Sequence, residues 1–163
     1  MLIEEQTKSV RGLVTIEHFG PDGELKQHLE KNLILTDGLE IFADLLVGSG
    51  GTQINPGQTA LAAMAAGDSN TAPVVGDTDL VGNEFGTGTN RYAVTTNSQP
   101  SSGLSRFIAN FTAGICTGTW KELVLADTYA AKGARKCVSR VVFGDIVKGA
   151  LDVITVTWEI TFA

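Results

Sequence analysis

The stretch from Ile154 to Phe162 reads Ile-Thr-Val-Thr-Trp-Glu-Ile-Thr-Phe, so every second side chain is large and apolar. A period of two predicts a β-strand with one buried face. The side chains on that face are Ile154, Val156, Trp158, Ile160 and Phe162. Burial of each contributes about 1.5–3 kcal/mol, an upper bound because unfolded chains are already partly compact. This pattern predicts a strand inside a sheet.

The segment from Cys137 to Phe143 is also rich in β-branched and aromatic residues. Gly144-Asp145 and Lys148-Gly149, which follow it, are typical of turns. We therefore expect this segment and the final strand to form an antiparallel pair.

Towards the N-terminus, Gly20-Pro21-Asp22-Gly23 separates an alternating stretch from a second apolar run, Glu24 to Leu35. This pattern predicts a β-hairpin. Residues 1–9 are polar and are interpreted as an arm that orders against another surface. Asp37 and Glu40 have the spacing of a capping box and precede a three-turn amphipathic helix, with its apolar face formed by Leu39, Phe42, Leu45 and Leu46.

The middle of the chain predicts short strands and one long loop. Ala60 to Ala66 is interpreted as a buried strand, and Thr71 to Thr89 as a loop of the length that often carries function. Its apolar anchors are Val74, Val75, Leu80 and Phe85. Arg91–Asn97 is predicted to be a strand, and Ser98–Gly103 a polar turn. Leu104–Ala113 is predicted to be a strand with Phe107, Ala109 and Phe111 on one side. Trp120–Ala126 is predicted to be a strand that either contains a bulge or lies at an edge.

Seven or eight strands with one short helix predict an all-β fold, specifically a jelly-roll-like β-sandwich. The composition does not change along the chain, so residues 10–163 are predicted to form a single domain preceded by the arm 1–9.

The formal net charge at pH 7 is −6, which argues against nucleic acid as a partner because phosphate binding needs a basic surface. The N-terminus has no pattern of a secretory signal, and no apolar run approaches the roughly 20 residues that span a bilayer. We expect a soluble protein that is made in a cytoplasm and has no membrane partner. Cys116 and Cys137 are interpreted as free, buried residues in strand-like contexts rather than as a disulfide.

Catalytic and metal-binding patterns are weak. His18 and His28, with Glu17 or Glu30, form a potential transition-metal site across the hairpin, but a solvated hairpin face is the favoured interpretation. Likewise, Asp68, Asp77 and Asp79 have no defined calcium-loop spacing and are interpreted as turn residues. No nucleophile, base and orienting group occur together in a motif, so we expect no enzyme activity, no cofactor and no metal.

Two further surface features have alternative interpretations. Arg135, Lys136 and Arg140 are a basic cluster, interpreted as a solvated strand face with a docking patch as the alternative. Exposed aromatic side chains that stack on sugar rings would suggest a carbohydrate-binding β-sandwich, and the candidates are Tyr92, Trp120 and Tyr129. For Trp120 we favour a place in the core.

Three stretches carry a family resemblance: Asn32–Leu46, Ala62–Leu80 and Arg135–Phe162. In their order and spacing, they resemble small virion proteins of tailed bacteriophages, described as tail, tail-fibre or head decoration proteins. The resemblance implies a non-enzymatic capsid decoration or cement protein that binds the outer shell as an oligomer, with a trimer expected. Its partner would be the major capsid protein; the alternative is an adaptor on a tail or baseplate protein that anchors a fibre.

In that role, the N-terminal arm and the long loop are the available contact segments on the virion. The predicted partner-binding residues are Leu2, Ile3, Val74, Val75, Leu80, Phe85, Arg135 and Lys136.

Overall fold

The fold is known from a computed structural model, which describes residues 10–36, 38–39, 41–42, 61, 63–86, 92–128 and 130–162. The described part contains nine β-strands. They are β1 Val10–Phe19, β2 Leu25–Ile34, β3 Ala63–Gly67, β4 Tyr92–Ala93, β5 Thr96–Ser101, β6 Leu104–Phe111, β7 Gly118–Ala126, β8 Cys137–Lys148 and β9 Val153–Phe162.

The strands form two antiparallel sheets, which confirms the predicted all-β class. The first sheet has the order β2-β1-β9-β6-β5, and the second has the order β4-β3-β7-β8. Strand β2 joins them, because it pairs with β1 along most of its length and with β8 at Leu33 and Ile34. A strand that passes from one sheet to another makes a corner between them.

The hairpin β1–β2 has the predicted turn. Gly20 N–H donates to Glu24 O at 3.2 Å, and Gly23 N–H donates to Gly20 O at 3.0 Å. Gly23 has a φ of 79°, a left-handed conformation that glycine adopts without a side-chain clash. The predicted hairpin is therefore confirmed.

Strand β9 lies between β1 and β6, so the prediction that it is inside a sheet is confirmed. Its alternation buries four of the five expected side chains: Ile154, Val156, Trp158 and Ile160. The fifth, Phe162, is 43% exposed and packs edge-on against Phe42 at 5.2 Å between ring centroids. The expectation of a buried Phe162 was wrong because the strand extends beyond the core at this end.

The predicted pairing of the two C-terminal strands was also wrong. Strand β8 pairs with β7 and β2, whereas β9 belongs to the first sheet. Gly144-Asp145 does not form a turn but continues β8, and the chain turns at Gly149, whose carbonyl accepts from Asp152 N–H at 3.3 Å. This turn carries the chain from one sheet to the other.

Other short segments differ in detail from their predictions. The segment from Ser98 to Ser101 is part of the polar, exposed strand β5 rather than a turn. The predicted bulge is present as a register shift between Trp120 and Glu122, although β7 is an interior strand. Strand β3 is completely buried, as its small side chains predict.

The predicted helix is only partly described. Helical backbone is present at Thr36, Gly38, Leu39, Ile41 and Phe42, and Leu39 N–H donates to Leu35 O at 3.2 Å. Leu39 is 47% exposed and Ile41 is buried, so the assignment of Leu39 to the apolar face was wrong. Asp37, Glu40, Leu45 and Leu46 lie outside the described residues.

One main core lies between the two sheets. It includes Val14 and Trp158 from the first sheet and Leu123 and Val141 from the second. Trp120 packs edge-on against Phe111, with ring centroids 4.7 Å apart. A smaller cluster lies on the outer face of the second sheet and consists of Leu35, Ala65, Leu80, Val124, Ala126 and Cys137.

The two buried tryptophans provide a matched test of core hydrogen bonding. Trp120 Nε1 donates to Cys116 O at 2.7 Å, whereas Trp158 Nε1 has no partner among the described residues. We expect Trp120→Phe to lower the free energy of unfolding by about 1–3 kcal/mol more than Trp158→Phe, because it removes the donor from a buried carbonyl. Urea unfolding followed by circular dichroism measures both losses. Equal losses would contradict this account.

Candidate functional site

Residues 68–86, here called the strap, cross the outer face of the second sheet and contain four of the eight predicted partner-binding residues. Val74 and Val75 are 58% and 55% exposed. Leu80 is buried in the smaller cluster, and Phe85 is half-buried against the main core. The strap therefore has both inward anchors and an exposed apolar tip.

Backbone contacts close the strap at its base. Phe85 N–H donates to Ala66 O at 2.9 Å, and Gly67 forms a bridge with Glu84. The Asp68 carboxylate accepts Asn83 N–H at 2.7 Å and Asn83 Nδ2 at 3.0 Å. The side-chain hydrogen bond from Asn83 is the main cause of the lowered pKa of Asp68, followed by the bond from the Asn83 backbone N–H. The segment thus leaves and rejoins the sheet at adjacent points.

Glu122 on β7 lies beneath the strap and is completely buried. Its Oε1 accepts from Gly82 N–H at 2.7 Å and Ser69 N–H at 3.3 Å, and its Oε2 accepts from Val81 N–H at 3.1 Å. A buried carboxylate requires such donors because desolvation is costly. Glu122 therefore holds the strap against the sheet both near its start, at Ser69, and near its end, at Val81 and Gly82.

Arg140 on β8 supplies the opposite charge, and its side chain is also completely buried. Its guanidinium donates to Glu122 Oε2 and Asp77 Oδ2, each at 2.8 Å, and to Thr71 O at 2.9 Å. The planar fork of arginine suits several acceptors at once. Arg140 thus joins the sheet to two separate points of the strap.

Arg135 makes a second set of ion pairs. It donates to Asp79 Oδ1 at 2.6 and 3.0 Å and to Glu84 Oε1 at 2.9 Å. Burial disfavours the charged guanidinium, but the hydrogen bond and negative charge of Asp79 outweigh it, and the pKa of Arg135 is raised. We call Arg135, Arg140, Asp77, Asp79, Glu84 and Glu122 the arginine network.

This geometry corrects two sequence interpretations. Arg135 and Arg140 form neither a solvated face nor a docking patch, because both guanidinium groups are buried in ion pairs; only Lys136 of the cluster is partly exposed. Leu80 and Arg135 are consequently interior residues rather than surface contact residues. Leu2 and Ile3 lie outside the described residues.

The strap is attached mainly by polar contacts. Leu80 is its one fully buried large apolar side chain in the described part, and its burial contributes about 1.5–3 kcal/mol. Ordering the backbone costs about 1–2 kcal/mol per residue, so one leucine cannot fix a segment of this length. Ion pairs and hydrogen bonds must supply the remainder.

Hydrogen bonds hold the tip of the strap in place. Asp77 N–H donates to Val74 O at 2.9 Å, and Val74 N–H donates to Asp77 Oδ2 at 3.0 Å. Thr36 donates to Val75 O through both its backbone N–H and its Oγ1, each at 3.0 Å. Because Asp77 is also bound by Arg140, Val74 and Val75 are presented to solvent on an ordered backbone.

The three aspartates of the strap have structural partners. Asp68 binds Asn83, Asp77 binds Val74 and Arg140, and Asp79 accepts Gly133 N–H at 2.7 Å besides pairing with Arg135. Their interpretation as turn residues is confirmed for Asp77. Among the described residues, no group of three or more His, Cys, Asp or Glu is arranged to hold a metal ion.

His18 is buried, so its interpretation as part of a solvated hairpin face was wrong. Its Nε2 donates to Asp152 Oδ2 at 2.9 Å, and Gly149 N–H donates to the same oxygen at 2.7 Å. Both hydrogen bonds lower the pKa of Asp152, and the bond from His18 has the larger effect. The pair joins the hairpin turn to the β8–β9 turn and lines a cleft of about 230 Å³, whose wall also includes Asp22 and Glu24.

Lys148 lies buried near this pair. Its Nζ donates to Asp152 O at 2.7 Å and Thr112 O at 3.0 Å, and desolvation lowers its pKa. All of these contacts connect turns at one end of the fold, so they position the backbone there.

The cysteines and aromatic residues agree in part with the sequence interpretation. Cys116 and Cys137 are buried and form no disulfide, as expected, but Cys116 lies in a turn with a φ of 51° rather than in a strand. Trp120 is fully buried, which confirms the core interpretation and removes it as a platform for sugar. Tyr129 and the Tyr92 side chain lie outside the described part.

These observations define an all-β protein of two antiparallel sheets, in which ion pairs hold the strap against the second sheet. Comparison of the chain with protein-family models, curated proteins and solved structures gives no match. No helix in the described ranges has the length and apolar character needed to cross a membrane.

Sequence reasoning missed Glu122 as a central residue. The available signal was a lone acidic residue in the apolar run of β7, together with Arg140, which is the one basic residue in the segment from Cys137 to Phe143 of β8. Charges within buried strands usually require each other.

Gly82 and Gly76 provide a matched test of the strap geometry. A Cβ at Gly82 would lie 2.6 Å from Ser69 N and would also meet Asp68 Oδ1, whereas a Cβ at Gly76 would meet no atom within 4 Å. We expect Gly82→Ala to lower the free energy of unfolding by about 1–3 kcal/mol through overpacking. Gly76→Ala should change it little. Urea unfolding compares the variants, and equal effects would contradict the described packing.

Asp152→Asn tests the His18–Asp152 pair. The folded-state pKa of Asp152 lies below its ordinary value of 3.8, so its charge stabilises the fold above that value and this contribution is lost as the pH falls through the folded pKa. We expect the variant to be less stable than the wild type at about pH 7, with the difference shrinking in acid. Urea midpoints across a pH series measure it.

Asp145→Asn is the control for that experiment. The Asp145 side chain is 63% exposed and lies 3.7 Å from Lys121, so its contribution to stability should be small at any pH. A loss in Asp152→Asn that stayed constant with pH would contradict the proposed contribution of the carboxylate charge.

Proposed function

We propose that this chain is a non-enzymatic structural protein of a phage virion, and specifically a capsid decoration protein that stabilises the outer shell as a trimer. In this proposal its two sheets form a jelly-roll-like β-sandwich, and its partner is the major capsid protein. The observation that supports docking is the exposed, ordered pair Val74 and Val75 at the tip of the strap.

An exposed apolar pair on an ordered backbone is suited to contact with another protein. Val74 and Val75 are adjacent and each more than half exposed, so the free energy falls when a partner removes their side chains from water. Association loses less conformational entropy when the contact residues are already fixed, as Asp77, Arg140 and Thr36 fix this tip. The strap therefore has the physical properties of a preorganised contact.

A decoration protein needs only a modest contact in each copy. Trimerisation and the repetition of the shell place several contacts side by side, so that their combined affinity exceeds that of one. The net charge of −6 favours encounter with a basic surface. Residues 1–9, including Leu2 and Ile3, supply a second contact in this proposal.

The test combines Val74→Ser and Val75→Ser in one variant. Shells assembled from the major capsid protein of the same phage are sedimented with wild-type protein or with the variant, and light scattering gives the oligomer mass. We expect wild-type trimers to sediment with the shells and the variant to bind about ten-fold more weakly or worse, because burying one valine side chain already contributes about 1.5–3 kcal/mol.

Val147→Ser is the matched control, since Val147 is 65% exposed but lies on β8 at the cleft rather than on the strap. It should bind as the wild type does. Wild-type protein that ignores shells but binds purified tails would replace the proposal with the tail or baseplate adaptor. Equal binding by all three proteins would exclude the valine tip as the contact.

A further inference from the structure

The strap is attached to the rest of the fold in a way that lets it open separately. It is contiguous, it leaves and rejoins the body next to β3, and it buries one large apolar side chain fully. The core between the sheets, in contrast, is formed by side chains that the strap does not contribute, apart from the partly buried Phe85. Segments with few buried apolar contacts open at lower free energy than core strands.

We propose that residues 68–86 open as one unit from the outer face of the second sheet while both sheets remain folded, and that the arginine network controls this opening. Arg140 and Glu122 are the central pair, because each contacts the strap at more than one point. This inference does not rest on the proposed virion function.

The physical reason is that the network becomes unfavourable when one member loses its charge. With Glu122 or Asp77 neutral, Arg140 would remain as a buried cation with reduced compensation; with Arg140 replaced, Glu122 would remain as a buried anion. Removing one partner of a buried ion pair is strongly destabilising because the other charge stays desolvated. Opening the strap returns that charge to water and relieves the cost.

Acidification is the natural trigger, since it neutralises carboxylates but not guanidinium groups. Several charged or titratable groups belong to the elements that contain or adjoin the network, namely the strap, β7, the β7–β8 connection and β8. The strap contributes Asp68, Asp77, Asp79 and Glu84, and β7 contributes Lys121 and Glu122. The β7–β8 connection contributes Asp127, Lys132, Arg135 and Lys136, and β8 contributes Cys137 and Arg140. Once the pH is low enough to neutralise the carboxylates, the basic side chains of this region lack compensating negative charge.

Cys137 is a built-in reporter of the opening. It is fully buried in the cluster that contains Leu80, and its thiol lies near Asp79 and Arg135. Burial is the main cause of a raised pKa of the Cys137 thiol, and the negative charge of Asp79 raises it further. The closed state therefore contains little reactive thiolate. When the strap opens, Cys137 becomes accessible and its thiol regains ordinary reactivity.

The experiment measures alkylation of Cys137 by iodoacetamide, quantified at that residue by mass spectrometry, in the full chain. Arg140→Met is the test variant, because Arg140 contacts the strap but not the Cys137 thiol. We expect Cys137 to react about ten-fold to a hundred-fold faster than in the wild type, the range for the loss of a charged hydrogen bond. Fluorescence of the buried Trp120 and Trp158 should stay unchanged.

Arg106→Met is the matched control. Arg106 also forms an arginine–carboxylate pair, with Glu159 at 2.6 Å, but on the first sheet. It should leave the reactivity of Cys137 at the wild-type rate. The proposal is overturned if Arg140→Met leaves that rate unchanged, or if the rate rises only together with loss of the native tryptophan emission.

Hydrogen exchange of the wild-type chain gives a second measurement that does not depend on the folding of a variant. With intrinsic exchange rates taken into account, acidification should remove protection from residues 68–86 while β9 stays protected. Simultaneous loss of protection in the strap and in β9 would show global unfolding and would overturn the proposal.

Discussion

The ion pair between Arg140 and Glu122 is the interaction on which the outer half of this structure depends. Both side chains are completely buried, and neither satisfies the other's full hydrogen-bonding capacity. The remaining donors and acceptors come from the strap, through Thr71, Asp77 and three backbone N–H groups. A charged pair placed on the face of a sheet therefore specifies how the chain crosses that face.

The two sheets have different outer faces as a result. The second sheet is covered by the strap, with Leu80 packed between them, whereas the first has partly exposed residues such as Thr15, Thr157 and Arg106 on its outer side. An antiparallel sheet is stable with one face in water when polar side chains occupy that face. The alternation in β1 and β9 satisfies this requirement without a covering segment.

Local patterns predicted the strands better than they predicted the connections between them. Alternation identified β9 and turn residues identified the β1–β2 hairpin, because both signals depend on neighbouring residues. Alternation cannot distinguish which sheet a strand joins, so β8 and β9 were wrongly paired. Glycine-aspartate was wrongly assigned to a turn because Gly144 and Asp145 are equally compatible with the exposed part of a strand.

The strap shows the limit of predicting a site from sequence. Its length and its apolar residues could be recognised, but the inward direction of Leu80 and outward direction of Val74 depend on what lies beneath them. The basic cluster was misinterpreted because its partners, Asp79 and Glu122, are distant in the sequence. Charge pairing across such distances is a property of topology, which composition does not encode.

Strand β5 has a separate consequence for how copies of this chain can meet. It is the terminal strand of the first sheet, all six of its residues are exposed, and Pro100 has no N–H to donate. The pairing with β6 is also irregular between Ser98 and Ser101. A short, polar, proline-bearing edge resists the addition of a foreign strand. The chain can therefore be crowded at high local concentration without this edge acting as a template for fibrils.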